Sequence, residues 1–331
     1  MTAPTPTGPA ATDDGGVVVH VVGPEAAAQV LAVVRAAFAA RPALDPPADA
    51  LAETEESIAA LLGNGGGLLA LDSTRGDEPV GAVVLDTVRG AISADDAVYL
   101  RRFGIAPHAQ GRGVATRLVR AALAEVARRE GPARVVVLAR EELPRTAGFW
   151  ADMGFVESAR HRPYIEMART VPVVREVPSA EAMRDLGRRV ASILEAGDLL
   201  VLTGDLGAGK TTFTQGLGDG LGVRGGVTSP TFVISRVHPS LGDGPPLVHV
   251  DAYRLGGRAE LDDLDLDTDL ADAVTVVEWG AGVAEGLADA RLKVRIRRAT
   301  AAVDVDPEAD PRVVEIDAVG ARWSGVDLRG L

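Results

Sequence analysis

The residues best suited to chemistry lie in one glycine-rich segment, GDLGAGKTT at positions 204–212. A short apolar run at 199–202 precedes it and apolar residues spaced for a helix follow, which is the context that a phosphate-binding loop requires. Its glycines let successive backbone N–H groups turn toward one anion, and a helix N-terminus adds partial positive charge. The segment therefore predicts a nucleotide phosphate site, with a plain glycine-rich surface loop as the alternative. The residues expected to contact phosphate are Gly204, Asp205, Gly207, Ala208, Gly209, Lys210, Thr211 and Thr212.

Two side chains of this segment have distinct expected roles. Lys210 and Lys293 are the only two lysines among 34 basic residues, so a compact ammonium stands where phosphate chemistry needs one. We expect Lys210 to reach the β- and γ-phosphates and Thr211 to hold Mg²⁺ through its hydroxyl.

Three later segments could complete the site. TSPTF at 228–232 is a hydroxyl-rich turn that could sense a γ-phosphate, or a plain Ser-Pro turn. Two apolar strands end in Asp251 and Glu278, and in an open α/β sheet both ends lie beside the phosphate loop. Either carboxylate could hold Mg²⁺ or orient an attacking water. His249 alternates with valines, so we expect it to point away from the core in a structural or hydrogen-bonding role.

A second glycine pair stands before a helix in the first half of the chain. The segment PHAQGRGVA at 107–115 follows a strand-like run at 97–105 and precedes a helix with a buried stripe. Gly111 and Gly113 free backbone N–H groups at the helix start, where an anion could bind. Two glycines and an arginine are weak evidence alone, and a plain helix entry is the alternative.

The elements that must position these loops follow from hydrophobic periodicity. The first half predicts strands at 17–22, 68–71, 80–88, 97–105 and 134–139, with helices opening at Pro24 and covering 49–62. The second half predicts a helix capped by Ser179 and a closing hairpin of 291–297 with 312–316.

The surroundings of the 107–115 segment resemble the GNAT acetyltransferase superfamily across residues 17 to about 169. The order is strand, Gln-x-x-Gly-x-Ala, long helix, strand, short helix and FWADMGF at 149–155. The resemblance implies that the loop wraps the pyrophosphate of acetyl-CoA, and that the preceding strand splays from its neighbour to admit the pantetheine arm. The acetyl-CoA residues that it implies are Phe103, Ile105, Gln110, Gly111, Arg112, Gly113, Val114 and Ala115.

One position departs from that family's pattern. GNAT enzymes often use a tyrosine as general acid where this chain has Trp150, and an indole cannot deliver a proton to a leaving thiolate. An N-acetyltransferase of unknown acceptor and a non-catalytic CoA-binding module therefore both stay open. The remaining candidate acid–base groups are Asp95, Asp96, Glu141, Glu142 and Tyr164.

The ordered set GDLGAGKTT, TSPTF, HVDAYRL and EWG resembles the TsaE (YjeE) family of ATPases over about residues 174–324. That family works with TsaB and TsaD in making N6-threonylcarbamoyladenosine in bacterial tRNA, which implies ATP and Mg²⁺ here. After Glu278-Trp279 this chain has Gly280-Ala281, where the family often has an acidic residue or a proline. This departure concerns how ATP hydrolysis is coupled to the partner proteins. The implied residues are Lys210, Asp251 and Glu278 for catalysis, Thr211, Asp251 and Glu278 for the metal, and Thr228, Thr231 and Trp279 for ATP besides the loop.

A P-loop small-molecule kinase is the alternative for the second half. It would use the same loop to phosphorylate a metabolite, beside a non-catalytic CoA-binding first half. No lid-like stretch of clustered arginines follows the loop, which favours hydrolysis over transfer.

Length and composition set the remaining expectations. A chain of 331 residues predicts two α/β domains: a tail at 1–16, a GNAT-like mixed domain at 17–170 and a P-loop NTPase-like domain at 171–331. Net charge −13 argues against binding nucleic acid directly, so tRNA would be held by a partner. Zero cysteines exclude disulfides and thiolate catalysis. No signal peptide or apolar span is present, so we expect a soluble cytoplasmic protein with no membrane contact.

Overall fold

The computed structural model describes residues 16–87, 97–230, 234–254, 260, 270–299 and 310–331. The chain divides into two compact units, Met1–Val171 and Pro172–Leu331. Each unit has its own apolar core, as expected for a chain longer than one core usually serves. No helix of the described ranges is long and apolar enough to cross a membrane. The tail predicted at 1–16 falls outside these ranges apart from Gly16.

The first unit is a seven-stranded sheet with helices on both faces, which confirms the predicted mixed α/β class. Helices α1 and α2 pack on one face, and α3 and α4 pack on the other. The strand order is β1-β2-β3-β4-β5-β7-β6. The elements are β1 Val17–Val22, α1 Ala27–Ala39, α2 Glu55–Gly65, β2 Gly67–Asp72, β3 Glu78–Asp86, β4 Ala97–Ile105, α3 Val114–Ala127, β5 Arg134–Arg140, α4 Pro144–Asp152, β6 Val156–His161 and β7 Tyr164–Thr170.

The helix predicted at 49–62 has different bounds in the structure. Only a single 3₁₀ turn covers Asp49–Leu51, and α2 begins after a capping box between Thr54 and Ser57. Its end was also predicted too early. The helix ends at Gly65, which lies so close to the carbonyl of Leu85 that a Cβ there would overlap it. The last turn of α2 therefore packs against β3.

Strands β4 and β5 separate after a short parallel ladder. They pair only from Ala97–Tyr99 to Arg134–Val136, although β4 continues to Ile105. The ladder of β4 with β3 is interrupted by a bulge, where Arg102 adopts a left-handed φ of 54°. The splay that the GNAT resemblance implies is therefore present in the backbone.

The second unit is a seven-stranded sheet whose centre is parallel, which confirms the predicted P-loop-type α/β class. The order is β10-β11-β12-β9-β13-β14-β8, with β11, β12, β9 and β13 parallel and the others antiparallel to their neighbours. The predicted closing hairpin is confirmed as β13 with β14, and Ser179 caps α5 as predicted. The elements are β8 Val173–Val177, α5 Ala180–Ala191, β9 Leu199–Thr203, α6 Lys210–Leu221, β10 Ser235–His238, β11 Leu247–Asp251, β12 Val274–Glu278, β13 Arg291–Arg298 and β14 Arg312–Val319.

Candidate functional site

The glycine-rich segment forms a tight loop between β9 and the N-terminus of α6. Gly204, Gly207 and Gly209 have φ values of 151°, 76° and 108°, which L side chains rarely adopt. A Cβ on Gly204 would lie 2.3 Å from the carbonyl oxygen of Ile296, so the loop passes directly against β13. This backbone can turn successive N–H groups toward one point at a helix start, which is the arrangement that binds phosphate.

Lys210 is the first residue of α6, and its side chain folds over the loop. Its Nζ donates to the carbonyls of Gly204 and Asp205 at 2.8 and 3.0 Å. It also lies 3.8 Å from the centroid of the Trp279 ring. Burial lowers the pKa of the Lys210 ammonium, and nearby carboxylates, that of Glu278 first, oppose this shift. A desolvated ammonium therefore lies against the phosphate loop.

Thr211, Glu278 and His249 form one hydrogen-bonded chain. The Thr211 hydroxyl donates to Glu278 at 3.0 Å from Oε1 and 3.3 Å from Oε2. His249 Nε2 lies 2.9 Å from Glu278 Oε1, and it must donate because a carboxylate only accepts. The prediction that His249 points away from the core is wrong, since its side chain is fully buried. Its predicted hydrogen-bonding role is confirmed.

Asp251 lies beside Glu278 on the neighbouring parallel strand, in register with it. Its Oδ1 accepts from the backbone N–H of Tyr253 at 3.1 Å, and its Oδ2 accepts from the Ser229 hydroxyl at 3.3 Å. Both carboxylates therefore stand at the carboxyl edge of the sheet, as predicted. Thr228 instead accepts from the Arg236 guanidinium at 3.0 Å. Thr231, the other threonine that the resemblance implies for ATP, lies outside the described ranges.

An aromatic pair lies beside the loop. The rings of Tyr253 and Trp279 have centroids 5.1 Å apart, and Tyr253 is 63% exposed. Trp279 adopts a left-handed φ of 61°, an uncommon conformation for a bulky residue that functional sites often hold. The predicted ATP residue Trp279 therefore stands against Lys210, with an exposed ring next to it.

The glycine loop of the first unit, around Gly111 and Gly113, has left-handed glycines like those of the phosphate loop in the second unit. Gly111 and Gly113 have φ values of 74° and 76°, and open space lies beside both. Gly113 precedes the first residue of α3, so its neighbours present N–H groups at a helix start. Gln110, Gly111, Arg112 and Gly113 are exposed.

The other predicted acetyl-CoA residues differ in what their side chains can offer. Val114 is buried in the core, so it offers only its backbone, whereas Ile105 and Ala115 are partly buried. The Arg112 guanidinium lies 2.8 Å from a buried Asp72 oxygen. A hydrogen bond from the Thr74 hydroxyl, and then Arg112, hold the pKa of Asp72 below its usual value.

Trp150 is a core residue. It is buried among Phe103, Phe149 and Phe155, whose ring centroids lie 4.9, 5.2 and 5.1 Å away in edge-to-face arrangements. Phe103, a predicted acetyl-CoA residue, is thereby fixed at the β4 bulge. Trp150, at the position where GNAT enzymes often have a tyrosine, therefore packs in the core.

The remaining acid–base candidates are mostly engaged elsewhere. Glu141 and Glu142 form ion pairs with Arg160 and Arg140, at 3.2 and 2.9 Å. Tyr164 faces a cavity of about 220 Å³ where β4 and β5 separate, here named the β4–β5 cavity. Asp95 and Asp96 lie outside the described ranges. The cavity lining includes Arg41, Tyr99, Arg101, Arg102, Arg140 and Tyr164.

Two family models match the chain. That of threonylcarbamoyl adenosine biosynthesis protein TsaE matches residues 177–304, and that of the acetyltransferase (GNAT) family matches residues 34–155. The tRNA threonylcarbamoyladenosine biosynthesis protein TsaE of Streptomyces coelicolor is 62% identical over 147 residues, which are 44% of this chain and 97% of that protein. The chain belongs to the TsaE family. It also carries a GNAT acetyltransferase domain in its first half.

A second TsaE protein and one solved structure are also similar to parts of this chain. The TsaE protein of Mycobacterium tuberculosis is 46% identical over 149 residues, 43% of this chain and 89% of that protein. The crystal structure of PaiA N-acetyltransferase from Thermoplasma acidophilum in complex with coenzyme A has a TM-score of 0.39 and 12% identity, covering 46% of this chain and 98% of that one. The GNAT assignment rests on the family match over residues 34–155.

Two contacts of the TsaE site had no signal in the sequence motifs. Arg312, at the start of β14, donates from Nε to Ala208 O at 3.1 Å and from Nη2 to Gly207 O at 3.4 Å. It lies beyond the matched residues 177–304 and far from the loop in sequence. The sequence indicates Ser229 only as a member of the TSPTF turn. Its neighbour Pro230 marks the turn, but only the fold brings its hydroxyl to Asp251.

The TsaE site fits Mg²⁺ held together with phosphate oxygens. Among the described residues, no group of three or more His, Asp or Glu forms a metal cluster by itself. The site instead offers the hydroxyl of Thr211 at the start of α6 and two carboxylates at strand ends, those of Glu278 and Asp251. Mg²⁺ commonly binds one or two carboxylates plus substrate phosphates, so this donor set suits it.

Proposed function

We propose that the second unit hydrolyses ATP with Mg²⁺ and acts in the cytoplasm with TsaB and TsaD to make N6-threonylcarbamoyladenosine in tRNA. The observation that carries the proposal is the direct contact of the Thr211 hydroxyl with Glu278 beside the phosphate cradle. P-loop NTPases bring a loop hydroxyl and a strand-end carboxylate to the same metal ion. The pathway comes from the names of the TsaE relatives.

The loop would bind the ATP phosphates in this proposal. Backbone N–H groups between Gly204 and Thr212 would surround them, and Lys210 would exchange its carbonyl partners for phosphate oxygens. Thr211, Glu278 and Asp251 would hold Mg²⁺, which supplies positive charge to the phosphates when it is bound. Trp279 would pack beside the nucleotide, next to Lys210.

Asp251 would orient the attacking water in this proposal. Its carboxylate is fixed by Ser229 and by the Tyr253 N–H, on the strand adjacent to Glu278. In the step that we propose, the water oxygen bonds to the γ-phosphorus and its proton passes toward Asp251. The bond from that phosphorus to the bridging oxygen breaks, and ADP leaves with the electron pair.

A pair of lysine variants tests this assignment. With Mg²⁺ and ATP, the full chain is expected to release free phosphate, and Lys210→Ala is expected to lower that rate at least tenfold. Lys293→Ala, at the chain's only other lysine, is the matched control on β13 and should keep the rate. A K210A variant as fast as the unmodified chain refutes the proposal. Transfer of the phosphate to an added metabolite instead of water would favour the kinase alternative.

The partner assignment needs its own experiment. We propose that tRNA reaches this chain through TsaB and TsaD, because a net charge of −13 repels a phosphate backbone. Immobilised full chain is expected to retain both proteins in an ATP-dependent manner. Failure to retain either protein, with ATP and without it, contradicts the partnership and leaves the ATPase assignment standing.

For the first unit we propose acetyl-CoA-dependent N-acetyl transfer. Its support is the separation of β4 from β5 after three residue pairs, next to a loop with open backbone at Gly111 and Gly113. Each activity would belong to one proposed domain, 17–170 for acetyl transfer and 171–331 for ATP hydrolysis, with 1–16 as a tail.

Calorimetric titration with acetyl-CoA tests the first unit's cofactor. We expect saturable binding by the full chain, weakened at least tenfold in Gly113→Glu, which puts a carboxylate where the pyrophosphate would lie. Gly225→Glu is the matched control, because Gly225 also has a left-handed φ and open space but belongs to the second unit. An absence of heat at millimolar acetyl-CoA contradicts the proposal.

A further inference from the structure

The β4–β5 cavity has a size that suits a small acceptor. Its volume of about 220 Å³ is below the roughly 300–1,000 Å³ of pockets for drug-sized ligands. Its walls come from the end of α1, the segment 44–50, the two diverging strands, α4 and the start of β7. The cavity therefore lies on one side of the strand gap in which the proposed acetyl donor would lie.

Arginine is the main charged residue of this cavity. Among the described residues, four guanidinium groups line it and one carboxylate, that of Asp49, which is exposed. Three of the four guanidinium groups have carboxylate partners outside the lining. These ion pairs are Arg101 with Asp86 at 2.8 Å, Arg102 with Glu53 at 2.6 Å and Arg140 with Glu142 at 2.9 Å.

Arg41 is the fourth arginine, and it differs from the others. Its Nη2 donates to the carbonyl of Phe103 at 3.2 Å, and its Cζ lies 3.7 Å from the centroid of the Phe38 ring. No carboxylate of the described chain lies within ion-pair distance of it. Burial lowers the pKa of this guanidinium, and no carboxylate among the described residues opposes that shift. A partly desolvated cation that has no counterion among the described residues is stabilised by an anion that reaches it.

This inference rests on the proposed acetyl transfer: we infer that the acceptor is a small amine carrying a carboxylate, and that Arg41 binds that carboxylate. A guanidinium has five N–H donors in a fork that matches a carboxylate, and only one donor of Arg41 is used by Phe103. Asp49 offers a complementary charge for the ammonium of the same molecule. The cavity thus matches a free amino acid better than it matches a peptide N-terminus, whose first residue has its α-carboxyl group in an amide bond.

The reaction balances with acetyl-CoA as the only co-reactant. The ammonium first loses one proton, and the nitrogen lone pair then forms the N–C bond to the thioester carbonyl. The C–S bond breaks, and the sulfur leaves with the electron pair. A second proton passes from the new amide nitrogen to the sulfur, so the products are the N-acetylated acid, free CoA thiol and one released proton.

Acid and amide pairs test the role of the carboxylate. The full chain would be assayed for CoA thiol release with acetyl-CoA and each proteinogenic amino acid, and with the same amino acid as its C-terminal amide. We expect at least one acid to be acetylated with a kcat/KM at least tenfold above that of its amide. Arg41→Met should raise KM for that acid at least tenfold and remove its preference over the amide.

Two controls separate the possible failures. Arg128→Met removes an exposed guanidinium at the end of α3, outside the cavity, and should leave the acid preference intact. Arg41→Met should keep its affinity for acetyl-CoA in calorimetry, which shows that the unit is folded. If acetyl-CoA does not bind to the unmodified chain, the transferase proposal itself fails. If acetyl-CoA binds but no acid is preferred over its amide, or a peptide N-terminus is preferred to every acid, only the acceptor inference is overturned.

Discussion

The hydroxyl of Thr211 donates to the carboxylate of Glu278 at 3.0 Å, although 67 residues separate them in the chain. Thr211 follows the phosphate loop on α6, and Glu278 ends β12, which pairs with the strand that leads into that loop. The parallel pairing of β9 with β12 therefore determines which carboxylate meets the loop hydroxyl. In the proposed mechanism these two groups hold the metal ion.

Removal of His249 is expected to lower ATP turnover through Glu278. His249→Ala takes away the buried donor 2.9 Å from Glu278 Oε1, so the carboxylate loses a contact that fixes its orientation. We expect kcat to fall roughly 10- to 100-fold with little change in KM, and stability to fall by about 1–3 kcal/mol. Steady-state kinetics and chemical unfolding measure both effects. His238→Ala is the control, a buried histidine of β10; an equal loss of kcat there would contradict the positioning role.

Loss of Arg312 is expected to weaken nucleotide binding. Its guanidinium holds the carbonyls of Gly207 and Ala208 from β14, so Arg312→Met should loosen the loop without touching the carboxylates. We expect the Kd for ATP, measured by calorimetry, to rise about tenfold, which corresponds to about 1.4 kcal/mol. Arg295→Met, an exposed arginine on β13, should leave Kd unchanged. Equal Kd values for the two variants would show that Arg312 does not support the loop.

Ser229 and Thr228 are adjacent, but they are expected to differ in their effect on turnover. Ser229 donates to Asp251 at 3.3 Å, whereas Thr228 contacts only Arg236 among its described partners. Ser229→Ala should therefore lower kcat for ATP several-fold, and Thr228→Ala should lower it less. Phosphate release under saturating ATP measures both variants. A larger loss in the Thr228 variant would contradict the role given to Asp251.

Asp72 is expected to make the first unit sensitive to acid. Hydrogen bonds from Thr74 and Arg112 depress its folded pKa below the unfolded value of about 3.9. The stabilisation is therefore fully present above that unfolded value and is lost as pH falls through the folded pKa. Asp72→Asn should flatten this part of the stability–pH profile, measured by urea unfolding between about pH 2 and pH 5. An unchanged slope would show that Asp72 does not titrate with folding.

Local sequence was enough to predict the phosphate loop and both strand-end carboxylates. Glycine conformations depend on few neighbours, and the carboxyl ends of parallel strands meet at one sheet edge wherever the helices lie. The burial of His249 was missed because alternation assumes one solvated face. Strand β11 is buried along its whole length, so a histidine there can only be held by a partner.

Contacts over long sequence separation account for most of what the motifs missed. Arg312 reaches the loop only because β14 pairs with β13, and no pattern around residue 312 indicates that register. The start of α2 is a different case. Its capping box at Thr54 and Ser57 is a local signal, but the apolar residues that precede it extend the helical pattern toward residue 49.

Phosphate release by Glu278→Gln tests the central claim most directly. The amide keeps the size of the carboxylate and can still contact Thr211 and His249, but it loses the charge proposed to hold the metal. With Mg²⁺, ATP, TsaB and TsaD present, we expect the full chain to release phosphate. E278Q is expected to bind ATP with similar affinity and to release phosphate on the order of 10- to 100-fold more slowly. Equal rates for the two proteins, or no phosphate release by the unmodified chain, would contradict the account.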